Sequence, residues 1–408
     1  MTLSSVDLDI KRFGREIELF LAITDRIFWE TVIKKSDAVV EKGIYKDFYF
    51  SSRNPFIKPL KEYFHMQSTG KSMRRHRTKE LDYLAGKAFI INRILSSVNE
   101  RVKKQIKGRL TCDDIRPFLH EIDMATHFLR NKFDITFIEY ERPIAEKRTY
   151  DFLVIRNSVE AEIECKWKSY DAGRKIKRDS FYMLCDEILK QVGCFSVKCI
   201  IEINCAEKLD KNRHSLFQIA TKIKTAVTNK ETTIDFDQNL SIDIIYLPED
   251  LRITSDDQFR SVIKPYWKPQ SHFATLSNET TTIIVRVESE ERDRVLKAIY
   301  DELKNSLDQF SKSRPGLIAC YIEGVYPEDW EELRGPNGLA AMTTHLLRRE
   351  NADHIHTIAY SSEVEMLKIG KIIDSSYPVL FFKNPNCKYY REQDIFSVSN
   401  LANDLGEQ

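Results

Sequence analysis

Apolar residues recur at helical spacing through the first quarter of the chain. The spacing of three to four residues is clearest near 8–34 and 79–107, as in amphipathic helices. An aromatic, proline-containing segment at 45–63 separates the two stretches. We therefore predict a mainly helical N-terminal region over 1–110.

The pattern changes from residue 113. Asp113 and Asp114 are residue types that favour helix starts, and the apolar stripe that follows them predicts a helix of about 17 residues. Three short apolar-rich segments suited to strands follow, and then a helical stripe and a nearly continuous apolar run that suits a buried strand. These segments lie at 133–140, 150–155, 159–167, 181–192 and 197–204. The predicted order of elements is αβββαβ.

Strands and helices also alternate beyond residue 210. Strand patterns lie at 241–247, 280–287, 317–324, 356–360 and 379–383, and a long helical pattern covers 290–310. Alternation of this kind is typical of an α/β layer. We predict an α/β protein with a helical region over 1–110, an αβββαβ core over 111–210 and an α/β region over 211–408.

Charged residues alternate along the third predicted strand. Glu162, Glu164 and Lys166 share one face, because successive strand residues point to opposite sides. Asp151 lies near the start of the preceding strand, and a hairpin would bring its carboxylate close to this row. Converging carboxylates suit a hard divalent cation, and a lysine beside them can assist water or neutralise phosphate charge. The pattern indicates phosphodiester hydrolysis.

An Asp on one strand followed by Glu-x-Lys on the next resembles the PD-(D/E)XK nuclease superfamily, which has an αβββαβ core and includes many restriction endonucleases. The resemblance covers 113–204 and implies that Asp151, Glu164 and the backbone carbonyl of Cys165 hold the metal, while Lys166 assists the nucleophile. Glu121 begins a segment, Glu-x-x-x-Ala-x-x-x-Leu, that is similar to the pattern on the family's first helix. This implies an auxiliary acid or second-metal ligand. Tyr150 replaces the proline of the nominal motif.

The net charge of +1 gives no global sign of a nucleic-acid partner, but basic residues cluster locally. Two clusters, at 71–79 and 101–109, fit phosphate binding or a solvated face about equally. The third leaves the Glu-x-Lys strand directly, and we expect Lys168, Arg174 and Lys175 to contact the nucleic acid. Eight single cysteines show no zinc-ligand spacing. No apolar run is long enough to span a bilayer, so we expect a cytoplasmic protein without membrane contact.

Together these features favour a nuclease that uses Mg²⁺, with Mn²⁺ as a substitute. DNA is the favoured substrate, and an endonuclease of restriction or antiviral-defence type, acting as a homodimer, is the favoured class. Three alternatives stay open: an RNA-cutting or exonucleolytic relative, a nucleic-acid-binding or assembly protein that keeps the fold without cleavage, and a metabolic α/β enzyme. The missing glycine-rich phosphate loop weakens the last.

Overall fold

Two units make up the chain, according to the contacts between its residues. The first comprises 1–36, 51–169 and 296–408, and the second comprises 37–50 and 170–295. The computed structural model describes the residues in these ranges: 12–40, 53–72, 75–76, 78–112, 114–138, 149–156, 159–169, 171–209, 212–237, 239–253, 255–266, 271–277, 280–323, 338–362 and 380–389. Both units are mixed α/β structures, as predicted for the fold class.

The helical prediction for the N-terminal region is confirmed where the structure describes it. The helices are α1 (Phe13–Thr24), α2 (Arg26–Val40), α3 (Ile57–Ser68), α4 (Lys79–Ser97) and α5 (Glu100–Leu110). Each long amphipathic stretch forms two helices. Asp25, with φ of 72°, separates α1 from α2, and the side chain of Asn99 caps α5 by accepting from the Val102 N–H at 3.0 Å.

A six-stranded sheet lies at the centre of the first unit. Its strands are β1 (Asp134–Phe137), β2 (Phe152–Arg156), β3 (Val159–Lys168), β9 (Gly316–Ile322), β10 (Ile355–Ser361) and β11 (Leu380–Lys383), in the order β1-β2-β3-β9-β10-β11. The first three are antiparallel neighbours, whereas β9 runs parallel to both β3 and β10. The unit also contains α6 (Arg116–Arg130), α10 (Val295–Ser306) and α11 (Leu339–Leu347).

One hydrophobic core joins the N-terminal helices to this sheet. The stripe of α6, including Phe118, Ile122 and Ala125, is buried in the same cluster as Ile163 of β3 and Trp29 of α2. The helices thus bury their apolar faces in a core that they share with the sheet. The structure therefore shows no separate unit that ends at residue 110.

The second unit has its own five-stranded sheet, in the order β5-β6-β4-β8-β7. Its elements are α7 (Arg178–Val192), β4 (Lys198–Cys205), α8 (Arg213–Asn229), β5 (Thr233–Asp237), β6 (Leu240–Tyr246), α9 (Asp256–Ile263), β7 (His272–Ser277) and β8 (Thr282–Ser289). Residues such as Leu184, Ile203 and Ile223 form a buried core in which α7 and α8 cover one face of the sheet.

The continuous core predicted over 111–210 therefore differs from the structure in its second half. The predicted order α6-β1-β2-β3-α7-β4 exists along the chain, but β4 belongs to the second sheet, and β9 lies beside β3. When residues 170–295 are left out, the elements of the first unit follow one another in the order α6-β1-β2-β3-α10-β9. The second unit thus interrupts an αβββαβ sequence of elements.

A close backbone approach joins the two ends of this inserted segment. The Arg294 N–H donates to the Gly173 carbonyl at 2.7 Å. Gly173 has φ of 75°, and a Cβ atom built on it would lie 2.5 Å from the Arg294 carbonyl oxygen. Only glycine fits such a contact without strain, because it has no Cβ atom and tolerates positive φ. The segment thus begins and ends at neighbouring points of the second unit.

Candidate active site

The pairing of β2 with β3 determines where Asp151 lies. Phe152 is the first residue of β2, and it pairs with Ile163 of β3. Asp151 precedes this strand in a bend of the backbone. Its N–H donates to the Ile163 carbonyl at 3.0 Å, beside the Phe152–Ile163 pair. The hairpin thus brings Asp151 next to β3, at the end of the β2–β3 ladder.

A second hydrogen bond anchors the Asp151 side chain. Its Oδ2 accepts from the backbone N–H of Cys165 at 2.6 Å. Asp151 is 9% exposed and Glu164 is 1% exposed. Burial of two carboxylates in one hairpin is costly unless positive groups or donors compensate them.

Lys166 supplies much of that compensation. Its ammonium group forms an ion pair with Glu164 Oε1. Burial alone would lower the pKa of Lys166, but attraction by Glu164, Asp151 and Glu302 outweighs it, so the pKa is raised above its ordinary value. Lys166 is therefore a cation at neutral pH in this arrangement.

Cys165 lies between these charged residues, with its side chain in the core on the opposite face from Glu164. Burial raises the pKa of its thiol well above the ordinary value, and the negative charges of Asp151, Glu121 and Glu164 raise it further. Glu121 lies on α6, whose apolar stripe packs in the same core as Cys165, so it approaches β3 from the face opposite the Glu164 side chain. The proposed ligand role of the Cys165 carbonyl stays a prediction.

Glu121 lies on α6 and is held by an arginine. Arg109, in the last turn of α5, donates to both carboxylate oxygens of Glu121, at 3.0 Å and 2.6 Å. The Glu121 side chain is 7% exposed and that of Arg109 is 29% exposed. A two-point contact of this kind fixes both the position and the plane of the carboxylate. No sequence pattern indicated that Arg109 is the partner of Glu121.

The donor types fit a divalent cation, but the acids are not arranged as a metal cage. Among the residues that the structure describes, no group of three or more His, Cys, Asp and Glu side chains is placed to hold a metal ion. Instead, Glu164 contacts Lys166, Glu121 contacts Arg109, and Asp151 accepts from the Cys165 N–H. Oxygen ligands of this kind are those that Mg²⁺ and Mn²⁺ prefer. A cation binding here would compete with Lys166 and Arg109 for the carboxylates.

Two further charged residues border this site. Lys168 continues the charged row of β3, and its ammonium group contacts Glu302 of α10 at 2.8 Å. Glu302 also contributes to the raised pKa of Lys166. The basic cluster that leaves the Glu-x-Lys strand indicated Lys168, whereas nothing in the sequence indicated Glu302, because it reaches the site only through the packing of α10.

The predicted phosphate-binding cluster is divided between the two units. Lys168 belongs to the first, whereas Arg174 and Lys175 belong to the second. Arg174 contacts Asp293 at 3.4 Å, and Lys175 forms an ion pair with Glu291. Each of these cations therefore has an acidic partner within its own unit, as is typical of structural ion pairs. Their contact with nucleic acid stays a prediction.

Glu162 shares the charged face but has a different environment. It is fully buried, and its Oε2 accepts from the Ser311 N–H at 2.8 Å. Its Oε1 accepts from the Ser311 hydroxyl and lies 3.5 Å from Arg314 Nη1. Contacts of this kind are typical of a buried charge with a structural role.

In the described parts of the chain, no helix has the length and apolar character needed to cross a bilayer. No protein-family profile matches this chain, and neither a curated protein nor a solved structure was found to resemble it.

Proposed function

We propose that this protein is a divalent-metal-dependent nuclease that hydrolyses phosphodiester bonds at Asp151, Glu164 and Lys166. The observation that carries the proposal is the anchoring of the Asp151 carboxylate on the Cys165 N–H of β3, between Glu164 and Lys166, with Lys166 paired to Glu164. Buried carboxylates next to a lysine supply the groups that cleavage of a phosphodiester needs. The interrupted αβββαβ order supports kinship with the PD-(D/E)XK superfamily.

Each side chain has a role in this proposal. Asp151, Glu164, the Cys165 carbonyl and Glu121 would hold Mg²⁺ or Mn²⁺, which would activate water and neutralise phosphate charge. A lysine with a raised pKa is poorly suited to remove a proton from water at neutral pH. Lys166 therefore acts as a cation that orients the phosphate and stabilises the charge that develops on it.

DNA is the proposed substrate, in an endonuclease of restriction or antiviral-defence type. Cutting both strands of a duplex needs two sites, which a homodimer would supply. Size-exclusion chromatography with light scattering, with and without duplex DNA, tests the dimer. A protein that is monomeric both with and without DNA would contradict the dimer, and the proposed enzyme would then cut one strand at a time.

A second candidate is a nucleic-acid-binding protein that does not cleave. The observation that favours it is that Glu164, Glu121 and Asp151 each contact a protein cation or N–H group, with no ready-made metal cage among the described residues. The two candidates differ in whether added metal produces cleavage.

One experiment separates them. Plasmid DNA, single-stranded DNA and RNA are incubated with the protein in Mg²⁺, Mn²⁺ or EDTA. Asp151→Ala and Lys166→Ala are compared with Asp250→Ala and Lys35→Ala, which change exposed residues of the same types. We expect metal-dependent cleavage that only the first two variants lose. Cleavage that survives both substitutions would overturn the site, and binding without cleavage would favour the second candidate.

A further inference from the structure

Helix α5 concentrates positive charge next to the candidate site. It carries five basic residues and one acidic residue, although the whole chain is almost neutral. Val102, Ile106 and Leu110 are buried along one side, and this anchors the helix in the core of the first unit. Arg101 and Lys104 are exposed, and Lys107 is half-buried.

The outer basic residues follow one another at intervals of three. Arg101, Lys104 and Lys107 are therefore separated by about 4.5 Å of rise along the helix axis per step. Lys103 is not part of this row, and its charge is compensated by Glu100, which it contacts at 2.5 Å. A row of long cationic side chains on a rigid helix is suited to contacting successive phosphates.

Helix α5 also contains an exposed glycine, Gly108, near its end. A glycine inside a helix costs about 0.5–1 kcal/mol relative to alanine. A Cβ atom built on Gly108 would meet no other atom within 4 Å, so packing within the protein does not require glycine there. Gly108 is exposed between Lys107 and Arg109, and the lack of a side chain lets a partner approach the helix backbone closely.

The end of α5 is connected to the candidate site. Arg109 holds both oxygens of Glu121, and the charge of Glu121 acts on Cys165 between Asp151 and Glu164. The row of basic residues on α5 thus ends at Arg109, which contacts one of the proposed site acids. A row of cations that ends at a buried site acid favours a long polyanion over a small anion or a flat membrane surface.

We propose that the outer face of α5, formed by Arg101, Lys104, Lys107 and Gly108, binds the phosphate backbone of nucleic acid and guides it to the candidate site. This inference rests on the proposed nuclease function. Phosphate contacts of this type do not read sequence, so α5 contributes affinity and orientation. Arg109 is a positioning residue that fixes Glu121 where the backbone arrives.

The test separates binding from cleavage. Binding of fluorescent duplex DNA, single-stranded DNA and single-stranded RNA is measured in EDTA at several salt concentrations. The variant Lys104→Ala/Lys107→Ala is compared with Lys34→Ala/Lys35→Ala, which removes two exposed lysines from α2 of the same unit. Circular dichroism checks that both variants stay folded.

We expect the α5 variant to bind at least one of these nucleic acids more weakly. The slope of log affinity against log salt should become shallower by about one for each lysine that contacts a phosphate, and the control should behave like the wild type. Gly108→Leu should also weaken binding without loss of stability, because the added side chain meets solvent in the unbound protein.

The outcomes distinguish this inference from the nuclease proposal. If the protein binds nucleic acid through α5 but never cleaves it, the α5 proposal is upheld and the nuclease proposal is overturned. If the α5 variant binds and cleaves like the wild type, only the α5 proposal is overturned. Absence of nucleic-acid binding would also overturn the surface, as would stronger binding to phosphatidylserine vesicles than to any nucleic acid.

Discussion

The carboxylate of Asp151 accepts a hydrogen bond of 2.6 Å from the backbone N–H of Cys165, across the β2–β3 pair. The strand that carries Glu164 and Lys166 thus also holds Asp151 in place. Bonds from an N–H group to a carboxylate are stronger than neutral ones. The relationship makes the position of Asp151 a property of the hairpin itself.

Asp151→Asn separates charge from geometry. The amide oxygen can still accept from Cys165, so the unfolding free energy should fall by only about 1 kcal/mol. Loss of the negative charge should lower the cleavage rate at least about 100-fold, a size typical of a lost site charge. Thermal unfolding and plasmid cleavage are measured together. Cleavage within tenfold of the wild type would show that the charge of Asp151 has no part in the reaction.

Lys166→Arg and Lys166→Met test the role of a permanent cation. The arginine keeps the charge and should retain at least about tenfold more cleavage than the methionine, because the proposed role is electrostatic. Both variants are compared in Mg²⁺ at equal protein concentration. Equal loss in the two variants would point to a role that needs the lysine amine itself.

The contribution of Lys166 to the stability of the protein should change with pH only in the alkaline range. The folded-state pKa of Lys166 lies above its ordinary value. Its contribution is therefore fully present below the ordinary pKa and is lost as the pH rises through the raised folded pKa. Urea unfolding should show a constant difference between wild type and Lys166→Met from about pH 6 to about pH 8, which decreases only at strongly alkaline pH. A difference that changes near neutrality would contradict the raised pKa.

Arg109 and Glu121 should be strongly coupled. Arg109→Met leaves the buried Glu121 carboxylate without its two-point contact, and we expect a loss of about 2 kcal/mol in unfolding free energy. Glu121→Gln in the same background should recover part of the loss, because the remaining side chain is neutral. A double-mutant cycle from urea unfolding measures the coupling. Additive effects would show that the contact contributes nothing to stability.

Glu162→Ala provides a contrast on the same strand face. The buried contacts with Ser311 and Arg314 predict a loss of about 2–4 kcal/mol in unfolding free energy. Any protein that remains folded should cleave at nearly the wild-type rate, because Glu162 has a structural role. Glu162→Gln is the milder variant for the cleavage assay. Normal stability with lost cleavage would instead place Glu162 in the reaction.

Gly173→Ala should destabilise the second unit. The positive φ and the approach to the Arg294 carbonyl both oppose a Cβ atom. We therefore expect the unfolding free energy to fall by more than about 1 kcal/mol. Gly70 also has positive φ, but no atom lies within 4 Å of its built Cβ, so Gly70→Ala isolates the cost of the backbone conformation. Thermal unfolding of both variants is the measurement. An equal loss of stability in the two variants would mean that the backbone around Gly173 shifts to accommodate the added Cβ atom at no cost.

Local sequence determined the hairpin and the row of charges on it. Strand alternation puts Glu164 and Lys166 on one face, and one short connection brings Asp151 next to the strand that carries them. The periodicity of β9 and of α10 was also readable, as predicted over 317–324 and 290–310. These features depend on backbone geometry within a few residues.

Tertiary structure alone decided which elements surround that hairpin. Periodicity shows that a segment buries one or both faces, but it carries no information on which sheet receives it. The run at 197–204 was therefore predicted in the same core as β3, whereas β4 belongs to the second sheet and β9 lies beside β3. Arg109 and Glu302 reach the site from helices whose positions depend on the shared core. The choice among long-range pairings is made by burial summed over the whole unit, which no local pattern contains.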